Sequence, residues 1–346
     1  LYSSKDFYLE LIMANYKEIK GKTVQSLASD LDTAAGEGAI WYNTTSADFK
    51  TIVKVTGAWA SGGALNTASA NRGAAGTQTA GLVFGGATDP APPGSGISES
   101  YNGAAWTEVG DLNTARRGPG NAGSQTAALA IAGSQGPPGS AEEVESWNGS
   151  AWTEVADVNT TREYGASLGP TNTSAIFAAG IVEPGGTITG VVEQWDGSSW
   201  TEITDVNTSR RESEGAGTVT AGIVIGGGAP NAIANVESWD GSSWTETTDI
   251  NTARRMNATA GTQTYALLIG GYTTTATTAK TELWDGVAWT EVADIGTATR
   301  EVGGMGTASL ALGAGGYDPG DPGRSTETFE WNFDTTLAAG AWASGT

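Results

Sequence analysis

Residues 222–246 read GIVIGGGAPNAIANVESWDGSSWTE, and this stretch contains the features that decide the fold. A short apolar run ends in adjacent glycines, a Glu-x-Trp segment follows, and an Asp-Gly turn leads into Trp-Thr-Glu. Asn-Gly and Asp-Gly favour the positive φ angles of a tight hairpin turn. A short, continuous apolar run between turn residues is typical of a strand buried on both faces. The stretch therefore predicts three consecutive short strands.

The same pattern recurs along the chain at intervals of 44–48 residues. Trp-Thr-Glu begins at Trp106, Trp152, Trp200, Trp244 and Trp289. Apolar runs that end in glycine cover residues 81–86, 128–133, 175–180, 222–227, 266–271 and 310–316. An Asn-Thr-x-Arg segment or a relative of it precedes most of these runs and adds a fourth strand, at residues 113–117, 159–162, 207–211, 251–255 and 297–300. Four short strands in a period of this length are one blade of a β-propeller.

The di-glycine after an apolar strand, followed by an aromatic residue and a tryptophan, resembles the kelch family over residues 57–346. There are six Gly-Gly strands but seven Trp strands, because Trp59 and Trp342 stand at the two ends. We therefore expect an all-β, six-bladed kelch-like propeller, with seven blades as the alternative and the Gly-Gly strands near the axis. The Trp59 strand is either a connector or a strand that pairs with the C-terminal blade and closes the ring.

Residues 1–56 do not fit the repeat, and we predict in them a short helix (residues 6–19) and a β-hairpin (residues 38–50) that ends in an apolar strand (residues 52–55). The hairpin resembles segments of bacteriophage tail-fibre and other virion proteins, and the whole chain resembles kelch-repeat structural proteins of marine phages. This resemblance implies an attachment segment that binds other virion proteins, and its lysines could meet an acidic partner: Lys5, Lys17, Lys20, Lys22, Lys50 and Lys54. The alternative is an ordinary extension that packs on the propeller. Met13 offers an alternative start.

Composition narrows the functions that the chain can have. The 346 residues carry a formal net charge of −21 and include neither cysteine nor histidine. The charge disfavours binding to nucleic acids or anionic lipids. Without cysteine or histidine there is no disulfide, no thiolate or imidazole metal site and no histidine general base, so we expect no cofactor and no enzyme activity. No apolar run spans a bilayer and no signal peptide is evident, so we expect synthesis in the host cytoplasm and assembly into a virion, without membrane insertion.

Repeated charged residues are the candidate structural sites. A glutamate precedes each aromatic strand end, at Glu99, Glu145, Glu193, Glu237, Glu282 and Glu327, and the proposed partners are Arg117, Arg162, Arg211, Arg255 and Arg300. With a two-residue turn, Glu145 would lie opposite Trp152 on a face that packs against a neighbouring blade. A buried carboxylate needs a partner, and the arginines can supply it. A ring of acids for a ligand or metal is the other interpretation, but repetition in every blade favours ion pairs, because a ligand site usually breaks symmetry.

Recognition is expected at the loops that differ between blades, at residues 87–96, 134–143, 182–190 and 317–324. Variable loops on a rigid scaffold are where binding residues concentrate. We expect a non-enzymatic virion structural protein, in the tail, fibre or capsid, whose loops contact host-surface glycans or proteins. The alternative is a carbohydrate-binding, lectin-like propeller, and a weaker third is a hydrolase or lyase that uses carboxylates, arginines and tyrosines.

Overall fold

The computed structural model describes residues 25–27, 40–44, 48–51, 57–88, 94–136, 139–320 and 323–333. All regular elements in these ranges are strands. Near the N-terminus, β1 (Gln25–Leu27) pairs in parallel with β2 (Ile40–Asn43), which pairs antiparallel with β3 (Asp48–Thr51). The predicted hairpin is therefore present. The helix predicted at residues 6–19 and the strand predicted at residues 52–55 lie outside the described residues.

Thr56–Phe333 form a separate compact unit, a six-bladed propeller of four-stranded antiparallel sheets. The chain enters it through β4 (Ala58–Ser61). Blade 1 contains β5 (Gly73–Thr77), β6 (Ala80–Phe84), β7 (Ser98–Tyr101) and β8 (Trp106–Val109). Blade 2 contains β9 (Gly120–Ser124), β10 (Ala127–Ser134), β11 (Ser140–Trp147) and β12 (Trp152–Val155). Blade 3 contains β13 (Ala166–Thr171), β14 (Ser174–Val182), β15 (Thr187–Trp195) and β16 (Trp200–Ile203).

The second half of the ring repeats this arrangement. Blade 4 contains β17 (Glu214–Thr218), β18 (Ala221–Ile225), β19 (Val236–Trp239) and β20 (Trp244–Thr247). Blade 5 contains β21 (Ala258–Thr262), β22 (Tyr265–Ile269), β23 (Thr281–Trp284) and β24 (Trp289–Val292). Blade 6 contains β25 (Gly303–Gly306), β26 (Leu310–Ala314), a small hairpin of β27 (Tyr317–Asp318) and β28 (Gly323–Arg324), and β29 (Thr328–Asn332).

The strand nearest the axis is the first strand of each blade, not the Gly-Gly strand that the sequence suggested. The first strands contact one another in a closed circle and line the central space. They are rich in glycine and alanine, as in Gly73–Thr77, which reads GAAGT, because six strands converge there. The Gly-Gly strand lies second and is apolar on both faces because it packs between neighbouring blades; Leu82, Val83 and Phe84 are completely buried.

β4, the first strand of the propeller, closes the ring. The propeller therefore has six blades. β4 forms the outer edge of blade 6 by pairing antiparallel with β29, and Trp59 lies opposite Trp331. The two indole rings are 5.2 Å apart, and Nε1 of Trp59 donates a hydrogen bond to the carbonyl of Ala293 in the preceding blade. Of the two predicted roles for the Trp59 strand, the closing role is therefore correct. Without β4, the edge of β29 would carry unpaired backbone groups.

Two circular sets of backbone hydrogen bonds join the blades. In the first, the glycine that follows the second strand, preceded by glycine in blades 1, 4, 5 and 6 and by alanine in blades 2 and 3, donates its N–H to a carbonyl in the linker of the next blade, at 2.8–3.1 Å. The donors are Gly86, Gly133, Gly180, Gly227, Gly271 and Gly316, and the acceptors are Arg116, Arg162, Arg210, Arg254, Thr299 and Ser69. Every one of these glycines has a positive φ angle, which directs its N–H towards the next blade.

The second set, which we call the axial ring, joins one linker residue from each blade. Each N–H donates to the carbonyl of the equivalent residue in the preceding blade, at 2.8–3.2 Å. The members are Asn71, Gly118, Tyr164, Glu212, Met256 and Glu301. All six have φ angles of 53–62°, in the left-handed region, although only one is glycine. The closed ring of hydrogen bonds offsets the cost of this backbone conformation.

The outer hairpin has a longer turn than the sequence suggested. Trp147 lies directly opposite Trp152, across a four-residue connection, and Glu145 lies opposite Glu154 rather than Trp152. In the equivalent turn of blade 3, Oδ1 of Asp196 accepts hydrogen bonds from the N–H groups of Ser198 and Ser199. This side-chain capping replaces the two-residue turn that Asn-Gly and Asp-Gly favour.

Candidate functional site

Each repeated glutamate of blades 1–5 is a buried acceptor that ties the incoming linker to the third strand. In blade 3, Oε2 of Glu193 accepts hydrogen bonds from the N–H and Nδ2 of Asn159, at 2.7 and 2.8 Å. Oε1 accepts from the N–H of Thr160 at 3.2 Å and from Nη1 of Arg162 at 2.5 Å. Both charged side chains are completely buried. Groups of the protein donate hydrogen bonds to both oxygens of the carboxylate, so neither oxygen is free to bind a ligand.

The arginines in these pairs differ from most of those proposed from the sequence. Only Arg162 was assigned correctly; the partners of Glu145, Glu237 and Glu282 are Arg116, Arg210 and Arg254. Arg117, Arg211 and Arg255, which follow these three arginines in the sequence, do not pair with the repeated glutamates. Two arginines in a row make the motif ambiguous, and only the first of them stands three residues after the asparagine that shares the carboxylate.

Blades 1 and 6 depart from the network in different ways. In blade 1 the usual arginine position holds Ser69, and Arg72 reaches Glu99 from three residues further along, at 3.5 Å. Burial lowers the pKa of Arg72 to about 10. Blade 6 lacks the whole constellation: Phe329 stands at the glutamate position and Thr299 at the arginine position, and both are buried. Glu327 and Arg300, which the sequence suggested as members of the repeated set, are therefore not part of it.

The repeated tryptophans of the outer strands pack between blades. Trp152 donates its indole N–H to Oγ of Ser98 in blade 1, and Trp200 donates to the carbonyl of Ala156. The same contact to the preceding blade recurs at Trp106, Trp244 and Trp289. These tryptophans are 5–6% exposed, so their rings are unavailable for stacking on a ligand.

The displaced arginines gather on one face of the propeller, which we call the linker face. This face carries the linkers between blades and the connections between the second and third strands. An isolated β-bridge joins each linker to a connection, as between Arg255 and Tyr272. Arg117, Arg211, Arg255 and Arg300 occupy equivalent positions in blades 2, 4, 5 and 6, next to the axial ring. We call these four the arginine cluster. The equivalent residues of blades 1 and 3 are Ala70 and Glu163, so the cluster breaks the symmetry of the repeat.

Three carboxylates, those of Glu163, Glu212 and Glu301, lie near the four arginines of the cluster. Glu212 accepts a hydrogen bond from Nη1 of Arg255 at 2.7 Å and lies 3.8 Å from Nε of Arg211. Glu301 lies 3.6 Å from Nε of Arg300. Burial raises the pKa values of Glu163 and Glu301. The guanidinium of Arg300 packs over the rings of Tyr272 and Tyr317, at 5.0 and 4.5 Å from their centroids. The cluster is therefore rigidly held and rich in donors.

The connections around this face differ from blade to blade, as the sequence suggested, and the described residues of two of them continue the flanking strands. Residues 134–143 and 182–190 belong largely to extended hairpins, because β10 and β11 have eight residues each and β14 and β15 have nine. The second and third strands of blades 4 and 5 have four or five residues. Long hairpins thus stand beside the part of the linker face where blades 4–6 present arginines.

Glu214 is an unrepeated carboxylic residue beside the central cavity of the ring. A cavity of about 50 Å3 is lined by the axial ring and by Glu214, and a wider space of about 300 Å3 is lined by the first strands. The other five blades have glycine or alanine at the position of Glu214. Glu214 forms no hydrogen bond or ion pair with described residues, and burial raises its pKa to about 8. The amide of Asn257, which lines the same cavity, is buried and also unpartnered among these residues.

Among residues in the described ranges, no group of three or more acidic side chains is arranged to hold a metal ion. A membrane-spanning helix is absent from the same part of the chain. No protein-family model matches the sequence, and no curated protein is significantly similar to it. The features that distinguish one blade from another are therefore the guide to function: the arginine cluster, the hairpins of blades 2 and 3, and Glu214.

Proposed function

We propose that this chain is a non-enzymatic structural protein of a bacteriophage particle, whose kelch-like propeller contacts the host surface through its linker face. The observation that carries the proposal is the division between repeated and unrepeated residues. The repeated glutamates pair with arginines and the repeated tryptophans pack against the preceding blade, whereas the arginines outside this network lie on the linker face.

The closed ring supports a scaffold role. β4 completes blade 6 as its fourth strand, and the outer strand of every blade has only four residues, so the sheets offer only short free edges for assembly with other proteins. Attachment to a particle then requires a segment outside the ring. Residues 1–56 have no repeat pattern and contain the β2–β3 hairpin, which makes them the proposed attachment segment. The phage assignment itself rests on the resemblance of the repeats and this hairpin to virion proteins.

The experiment has two parts. Mass spectrometry of purified particles should detect the chain, and a variant lacking residues 1–56 should fold but no longer join particles. Circular dichroism and size-exclusion chromatography of the truncated protein provide the folding control. Normal incorporation of the truncated protein would refute the attachment role, and absence of the full chain from particles would refute the virion assignment.

A lectin-like propeller is the second candidate, and the tyrosines beside the arginine cluster favour it. Tyr272 and Tyr317 follow the second strands of blades 5 and 6 at equivalent positions, where the other blades have Ala87, Ser134, Ile181 and Gly228. Aromatic rings next to donor groups are suited to sugars, which offer apolar ring faces and hydroxyl groups. A glycan array probed with the full chain tests for sugar binding. Glycan binding by a chain that is absent from purified particles would favour the lectin over the virion protein.

A further inference from the structure

We infer that the arginine cluster binds the carboxylate groups of an acidic polysaccharide. This inference rests on the proposed contact with a host surface and names the chemistry of that contact. It starts from the distribution of basic residues in the propeller. Five arginines are buried with glutamate or neighbouring groups, at Arg72, Arg116, Arg162, Arg210 and Arg254. Every other arginine of the propeller lies on the linker face: Arg117, Arg211, Arg255, Arg300 and Arg324.

The guanidinium groups of the cluster can accept a ligand. The side chains of Arg211, Arg255 and Arg300 are 28%, 20% and 26% exposed. The Nη atoms of Arg211 and Arg300 form no hydrogen bond with described residues, whereas Arg255 uses one Nη atom to bind Glu212. Unbonded Nη groups at a solvent-accessible surface match the two oxygens of a carboxylate, which arginine binds in a bidentate geometry.

The cluster is also organised before any ligand arrives. Arg300 lies against both Tyr272 and Tyr317, and Arg255 packs over Tyr272, with its guanidinium 5.6 Å from the ring centroid. Glu212 holds Arg255 from the neighbouring blade. Side chains already fixed by packing lose less conformational entropy when they bind, so each contact retains more of its free energy.

A polymer with regularly spaced carboxylates fits this arrangement best. Arg211, Arg255 and Arg300 come from the same position of three consecutive blades, so they form an evenly spaced arc. The outer strands carry exposed glutamates, and the net charge is −21, which opposes a ligand as densely charged as a nucleic acid. At 0.15 M salt the Debye length is about 8 Å, so those distant carboxylates are screened while the arginines in direct contact are not.

The test uses the full chain and four immobilised polymers at 0.15 M NaCl: polygalacturonate, dextran sulfate, polyglutamate and unmodified dextran. Polygalacturonate should bind and dextran should not. Arg211→Gln and Arg300→Gln should each weaken polygalacturonate binding about tenfold, which corresponds to about 1.4 kcal/mol. Lys280→Gln is the matched control, because Lys280 is an exposed cation of blade 5 paired with Glu291 on the outer strand. Its binding should be unchanged, and thermal melts should show that all three variants fold.

Several results would overturn the inference. The first two are no binding to polygalacturonate and equal weakening of that binding by Lys280→Gln. Tighter binding to dextran sulfate than to polygalacturonate would indicate a sulfate site, and tighter binding to polyglutamate would indicate that the ligand is an acidic protein. Particles carrying the Arg211→Gln and Arg300→Gln changes together should adsorb poorly to host cells. Normal adsorption of these particles would reject the acidic polysaccharide as the host ligand while the virion role stands. Absence of the chain from particles would reject the virion role instead, whatever the polymers bind.

Discussion

Breaking the buried network of blade 3 should strongly destabilise the propeller. Glu193→Ala leaves the guanidinium of Arg162 buried without its counter-ion and removes the acceptor of two backbone N–H groups and the Asn159 amide. Loss of one partner from a buried ion pair costs about 3–5 kcal/mol. At about 2–4 °C for each kcal/mol in a domain of this size, the melting temperature should fall by about 6–20 °C.

Two further variants make this prediction specific. Arg211→Ala is the matched control, because Arg211 follows Arg210 in the chain but lies in the partly exposed arginine cluster, so its loss should cost less than about 1 kcal/mol. The double variant Glu193→Ala with Arg162→Ala should lose clearly less free energy of unfolding than the sum of the two single variants. Each single variant leaves one buried charge without its partner, whereas the double variant removes both charges. Blade 6, which lacks both charges, shows that the fold tolerates their joint absence. Equal melting of Glu193→Ala and Arg211→Ala, measured by calorimetry, would refute the reasoning.

Three other predictions concern the ring and its axis. Deleting residues 1–61 removes β4 and exposes the edge of β29, so light scattering should detect oligomers, whereas deleting residues 1–56 should leave a monomer. If both truncated proteins are monomeric, the closing role of β4 is contradicted. Gly118→Ala should lower the melting temperature because its Cβ would lie 2.4 Å from the ring of Tyr164, and Tyr164→Ala should relieve this cost, unless the left-handed backbone conformation is itself the cause. Glu214→Gln should stabilise the protein at pH 8–9 and have no effect below pH 4.5. The folded state keeps the proton up to about pH 8 while the unfolded chain loses it near pH 4.5, so wild-type stability falls as pH rises through this window, by at most about 1.4 kcal/mol per unit in chemical denaturation.

Some of the candidate network could have been assigned from spacing alone. Arg116, Arg162, Arg210 and Arg254 each stand three residues after an asparagine, and each buried glutamate stands two residues before an aromatic residue. Glu327 also stands two residues before an aromatic residue, Phe329, so spacing alone does not exclude it. The strand register does, because Trp331 is the residue that pairs with Trp59, which puts Phe329 at the glutamate position. Constant spacing follows from a contact that recurs in blades 2–5. The partner of Glu99 could not be found this way, because Arg72 replaces the usual arginine from another position and only the fold brings it there.

The sequence by itself determined the architecture, because the 44–48-residue period, the paired glycines and the tryptophans encode local strands and turns that repeat. A propeller blade is built from neighbouring segments, so local patterns suffice to predict it. The tertiary structure decided everything that joins distant segments. Pairing of β4 with β29 spans the whole ring, the axial hydrogen bonds link all six blades, and the arginine cluster forms only when equivalent residues of separate blades meet on one face. These contacts depend on closure of the ring, which no local sequence pattern encodes.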